Sequence, residues 1–244
     1  MWTYLVILIS LSVIVFVFAR RLVLHSRRRA SADPVKVAVE NTNAPEEPEA
    51  VDVSRKDKDR TEALCKKGVN LIKIGKEEDA IKCFVQALAL NELHNETQHR
   101  LAVLYLKKQM YGAAAALFKR LVESSEDPVY YSHLGLALYK QSNLEEAKSA
   151  YQIAVELDPK RAARFVSLAQ VYRAMGQLEH SLIALDKALE IEKENMDFLL
   201  LLASIQVELK NNKEALDVLE KILEINPENK DAVSMLKDLK KITS

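Results

Sequence analysis

The stretch 143–159, NLEEAKSAYQIAVELDP, reads on its own as one amphipathic helix ended by a proline. It returns as QLEHSLIALDKALEIEK from 177 and as NNKEALDVLEKILEINP from 211. Earlier forms stand at 110, MYGAAAALFKRLVESSE, and at 76, KEEDAIKCFVQALALNE. The five starts are separated by 34, 33, 34 and 34 residues. Self-similarity at a fixed period of this length marks a repeat architecture, in which each unit buries its apolar face only against its neighbours.

Setting the copies in register places repeat starts at Thr61, Asn95, Pro128, Ala162 and Met196, each unit a helix A, a short turn and a helix B. The eighth positions are Gly68, Ala102, Gly135, Ala169 and Ala203, and the twentieth are Ala80, Ala114, Ala147, Ser181 and Ala215. Ten small residues at ten corresponding sites have one physical cause: helices A and B approach too closely there for a large side chain. One turn further along helix B stand the bulky residues Phe84, Phe118, Tyr151, Leu185 and Leu219, which read as the core. Pro159 and Pro227 end helix B, since proline cannot donate to the helical ladder.

This pattern resembles the tetratricopeptide repeat (TPR), and the resemblance covers residues 61–229 in five units, 61–94, 95–127, 128–161, 162–195 and 196–229. It implies an all-α fold, a right-handed α-solenoid of helix-turn-helix repeats. The sequence departs from the family at the fourth position, aromatic only in Tyr131 and Phe165, and at the twenty-seventh, where Leu121 and Ile222 replace a small residue. The stretch 230–244 then places Val233, Leu236 and Leu239 on one stripe, as a helix capping the open end of the solenoid would.

Composition bounds the function. The 35 basic and 35 acidic residues cancel, so no global field draws nucleic acid. Cys65 and Cys83 form no CxxC motif and read as partly buried thiols of a reducing compartment. His94 and His99 do not share a helical face, while His133 and His180 read as exposed or half-buried packing residues. No HExxH, glycine-rich phosphate loop or GxSxG is present, which argues against an enzyme and against any cofactor, metal or small-molecule substrate. Acid pairs such as Glu77-Glu78 and Glu145-Glu146 are expected to start helix B and face water.

The family resemblance implies a concave groove lined by the A helices, and it places there Val69, Ile72, Lys73, His99, Val103, Leu106, Lys107, Leu136, Tyr139, Lys140, Gln170 and Arg173. The first three repeats thus offer an apolar strip beside a row of lysines, suited to a protein segment with apolar anchors and acidic character. The residues that clamp a terminal carboxylate elsewhere in the family correspond here to Cys65, Val69, Arg100, Val129 and His133, of which only Arg100 is cationic at neutral pH.

Ahead of the repeats, MWTYLVILISLSVIVFVFA runs uncharged to Ala19, and Arg20, Arg21, Arg27, Arg28 and Arg29 follow. A helix of that length covers about 27 Å, which predicts a transmembrane signal anchor over 1–20, with the repeats cytoplasmic by the positive-inside rule. Residues 21–58 read as a basic flank and a disordered linker. The expectation is therefore a single-pass membrane protein held through residues 2–19, N-terminus outside, whose repeats act as a scaffold or adaptor at the cytoplasmic face, as in a bacterial inner membrane. The layout resembles adaptors of the lipopolysaccharide assembly protein B type without their zinc module. Two alternatives stay open: an anchored organelle import or chaperone-type receptor, and a TPR body facing the periplasm.

Overall fold

The computed structural model describes residues 54–243. These form eleven helices: α1 (Arg55–Lys73), α2 (Glu77–Leu90), α3 (Asn95–Lys107), α4 (Tyr111–Ser124), α5 (Pro128–Lys140), α6 (Leu144–Leu157), α7 (Ala162–Ala174), α8 (Leu178–Ile191), α9 (Met196–Glu208), α10 (Asn212–Ile225) and α11 (Lys230–Thr243). Each helix packs on the next, and α1 on α3, α3 on α5 and α5 on α7 also touch, so that the odd-numbered helices carry one continuous face. The result is an all-α solenoid of five helix pairs closed by α11.

The joint within each pair is made by the small residues. Ala80, Ala102, Ala114, Ala147, Ala169, Ala203 and Ala215 are all fully buried. Ser181 shows how close the backbones come: its hydroxyl donates across the pair to the Ala169 carbonyl at 2.7 Å. A Cβ added at Gly68 would sit 2.5 Å from the Phe84 ring, and one at Gly135 2.8 Å from the Tyr151 ring. Glycine is therefore required at these two sites, where a ring of helix B presses on helix A. Leu121 and Ile222, the family departures, are absorbed into the core with no exposed surface.

Every A helix ends in the same way. Gly75, Gln109, Ser142, Gly176 and Lys210 hold φ between 58° and 77°, and the next residue donates back to a carbonyl five positions earlier, as Lys76 to Leu71 and Met110 to Tyr105. This left-handed cap satisfies carbonyls that the helix would otherwise orphan, and it turns the chain into helix B within three residues.

Several expectations change. Helix α1 starts at Arg55, six residues before Thr61, because the Ser54 hydroxyl oxygen accepts from the Asp57 amide at 3.2 Å; residues 55–58 are helix, not linker. In α11 the buried residues are Ala232 and Leu239, with Met235 and Leu236 half-buried, whereas Val233 is 47% exposed. The stripe thus keeps Leu236 and Leu239 but starts at Ala232 in place of Val233, which puts Ala232 and Leu239 seven apart on one face.

The expected fold class is corrected at its N-terminal end. No helix among the described residues is long and apolar enough to cross a membrane. The transmembrane anchor assigned to 1–20 falls outside those residues, and no described element carries it. The membrane contact through 2–19, the single-pass topology, the cytoplasmic-face assignment and the adaptor and receptor readings that depended on an anchor are set aside with it.

Candidate functional site

The face shared by the odd-numbered helices is where the expected groove residues fall, and the structure sorts them into groups. Ile72 from the end of α1 and His99, Val103 and Lys107 from α3 meet in a pocket of ≈ 400 Å³, together with Glu77, Glu96, Arg100 and Leu104. Its floor is apolar. Leu104 is buried, Ile72 half-buried, and Val103 is 40% exposed at the opening.

The rim of this pocket is charged but internally matched. Arg100 donates to Glu96 at 2.6 Å, one helical turn away. Glu77 receives both Lys107 and Lys108, and Lys108 also reaches Glu78 at 2.7 Å. The Glu77 carboxyl is held below its ordinary range, first by the hydrogen bond from Lys107 and then by that from Lys108, against the opposing effect of burial. Its side chain is only 18% exposed, so Glu77 does not face water as expected; it bolts the start of α2 to the end of α3. Lys107 is correspondingly a partner of Glu77, with its side chain still 68% exposed.

A second pocket of ≈ 250 Å³ lies between α5 and α7 and takes Leu136, with Val129, Ser132, His133, Tyr151, Arg161, Ala163, Arg164 and Ser167. Here Arg164 is nearly buried. It pairs with Asp158, reaches the Asp158 carbonyl at 3.3 Å and the Ser132 hydroxyl at 3.2 Å, and so ties three helices together. The Asp158 carboxyl is held below its usual range mainly by that guanidinium.

The remaining expected residues scatter along the face. Val69 and Leu106 are half-buried against the core, and Lys73 is exposed. Tyr139 is half-buried with the Lys140 ammonium 5.9 Å from its ring centre. Gln170 is exposed, while Arg173 is spent on Glu208 and on the Ser204 hydroxyl at 2.7 Å. Sequence reasoning reached one residue in four of the first pocket's rim. It missed Glu77, Glu96 and Arg100, of which only the Glu96–Arg100 pair carries a local signal, the four-residue spacing.

Between the two pockets stands a cluster of rings. His99, which lines the first, and His133, which lines the second, stack with centres 5.9 Å apart and planes 26° from parallel. Phe118 of α4 lies 5.2 Å from His133 and 6.2 Å from His99, and Tyr130 lies 5.2 Å from His99. Burial pushes both imidazoles below the ordinary histidine value; at His133 the neighbouring His99 adds to the effect and Asp127 opposes it.

Comparison with known proteins fits this geometry. Tetratricopeptide repeat models match residues 65–128, 128–161, 162–195 and 182–239. Over 62 residues the chain is 37% identical to the TPR repeat-containing protein YvcD of Bacillus subtilis (strain 168), a match that spans 25% of this chain and 13% of that relative. Among solved structures, that of YrrB, a TPR protein with an unusual peptide-binding site, superposes with a TM-score of 0.66 at 21% identity, over 75% of this chain and 94% of the other. MamA from Desulfovibrio magneticus RS-1 does so with a TM-score of 0.66 at 17% identity, over 70% and 98%. At these identities the structural likeness is one of fold. The repeat matches run without a gap from residue 65 to residue 239, and the chain is a tetratricopeptide-repeat protein.

Proposed function

We propose that the chain is a scaffold that binds a segment of another protein along the face of its odd-numbered helices, anchored by an apolar side chain in the pocket between α1 and α3. On this reading five repeats, 61–94, 95–127, 128–161, 162–195 and 196–229, form the binding body, and 230–244 closes it. The chain is not an enzyme, since the repeat that builds it serves protein interaction.

One observation carries the proposal: an apolar floor of Ile72, Val103 and Leu104 is framed by charges already paired with one another. Such a frame leaves no unmatched charge for an anion to neutralise, whereas an apolar side chain displaces water from the floor at a gain of about 25 cal/mol per Å². Lys73 and Lys140, both exposed along the same face, steer a segment with negative flanks without holding it. YrrB, a TPR protein with an unusual peptide-binding site, supports the reading by analogy of fold.

Selection of a displayed peptide library on the full chain tests it. The selected peptides share a bulky apolar residue, and Val103→Glu weakens them by at least about tenfold, since it places a charge where the anchor must lose water. Ile183→Glu, on an exposed site of α8, leaves them unchanged. Equal binding by a Val103→Glu protein whose circular dichroism is native rejects the pocket as the anchor.

A further inference from the structure

The stacked histidines occupy a joint that the groove reading leaves unused. His99 sits in α3 and His133 in α5, the rings bridge consecutive A helices, and Phe118 of α4 closes the cluster from behind. The decisive detail lies in the nitrogens. Nε2 of His99 and Nδ1 of His133 are both buried with no hydrogen-bond partner.

A neutral imidazole has one N–H and one bare nitrogen, so each ring can carry its proton on the other nitrogen and present only a lone pair to the apolar interior. A protonated ring has no such choice. It places an N–H at His99 Nε2 or His133 Nδ1, where no acceptor stands, and sets a positive charge against its stacked neighbour.

We infer that the His99–His133 stack is a proton-operated joint between the second and third repeats, closed while both rings are neutral and loosened when either takes up a proton. The groups facing it are few and come from each packed element. Glu96 and Arg100 lie on α3, Asp127 caps α5, Tyr130 lies on α5, α4 contributes Phe118, and Arg161 and Arg164 line the pocket that His133 shares. Glu96 and Asp127 favour the imidazolium at His99 while Arg100 opposes it, and burial outweighs them all.

The direction follows from linkage. Both folded values lie below the unfolded value of about 6.5, so the unfolded chain binds these protons more readily. The stability contributed by the neutral stack is complete above about pH 6.5 and is lost as pH falls from there through the depressed folded values. Because the two rings wall the two pockets, the same proton that loosens the joint changes the spacing of the groove. The inference does not depend on what occupies that groove.

The test uses the full chain without a partner. Imidazole resonances of His99 and His133 are titrated beside those of His94 and His180, and hydrogen exchange, corrected for intrinsic rates, is followed from about pH 7.5 to about pH 5.5. The expected result is that His99 and His133 titrate below about 6.5 and that exchange in 95–107 and 128–140 rises at least about threefold through their titration. Exchange in 212–225 stays flat. His99→Phe and His133→Leu remove the acid-induced rise. Titration of both rings at or above the ordinary value overturns the inference, as does protection of 95–107 and 128–140 that stays constant through the titration; both readouts come from the wild type and survive any failure of a variant to fold.

Discussion

At the turn residue of each repeat the sequence offers glycine only twice, at Gly75 and Gly176, yet all five sites are left-handed. Gln109, Ser142 and Lys210 hold φ of 58°, 61° and 63° with a Cβ that this region disfavours. The surrounding cap, with its donation back across six residues, holds them there. Gln109→Gly and Lys210→Gly are therefore expected to stabilise the chain by about 0.5–1 kcal/mol each, the relief of strain being partly offset by a freer unfolded chain. Their chemical denaturation midpoints should rise, and unchanged or lower midpoints would show that the cap tolerates a Cβ without strain. The opposite result is expected where glycine faces a ring. Gly135→Ala pushes a methyl to within 2.8 Å of Tyr151 and should cost about 1–3 kcal/mol, read as a fall in the same midpoint. The two kinds of site also differ in how far the sequence reveals them. Close approach excludes every large side chain, so it writes itself into the eighth and twentieth positions; a left-handed cap only raises the cost of most residues, and selection has accepted glutamine, serine and lysine there.

For the helices, periodicity was sufficient because each A and B pair buries a stripe of fixed spacing. What the pattern did not reveal are the ties between elements, which depend on residues about thirty apart. Lys107 reaches Glu77, Lys119 reaches Glu146 at 2.7 Å, Arg120 reaches Glu92 at 2.5 Å, and Arg173 reaches Glu208. A charge read in its own helix looks solvated, and only the stacking of repeats brings its partner. This is why Lys107, read as part of a lysine row, is found clasping α2, while Ile72, His99 and Val103, placed by the family resemblance, line one pocket. The capping helix is a case where one face decides. Leu239 is 2% exposed and, with Ala232, covers Leu199, Ala203, Leu219 and Ile222. Leu239→Ala should cost about 2–5 kcal/mol locally. Removal of 230–244 should raise hydrogen exchange in 196–225 and leave 95–140 protected, since an array of repeats is stabilised by nearest neighbours. Native protection of 196–225 in the shortened chain would show that the fifth pair needs no cover.

Across the whole solenoid the buried residues fall into three groups, not one. A central core runs from Ala102 and Phe118 of the second pair through the third and fourth pairs to Ile205 of the fifth. A smaller group around Phe84 ties the first pair to buried Leu101 and Leu104 of the second and meets the centre through half-buried Tyr105 and Leu117. The fifth pair and α11 form another around Leu219, joined through half-buried Leu189. The groups therefore meet inside the second and fifth pairs, through half-buried side chains, and the ion pairs of Glu77 and of Arg173 cross from one repeat to the next nearby. Ion pairs with a solvent-reached partner contribute about 0–1 kcal/mol each and weaken with salt, so they add little where the groups meet. Unfolding should accordingly begin at the two ends and reach the centre last. In native-state hydrogen exchange at rising denaturant, 77–90 and 212–225 should open at lower free energy than 114–121 and 147–154. Phe118→Ala and Leu219→Ala separate the alternatives, each removing a fully buried side chain at an expected cost of about 2–5 kcal/mol. Leu219→Ala should lower protection only beyond about residue 196, whereas Phe118→Ala should lower it across the centre and release the first pair with it. If both variants lower protection uniformly from 55 to 243, the three groups unfold as one cooperative unit.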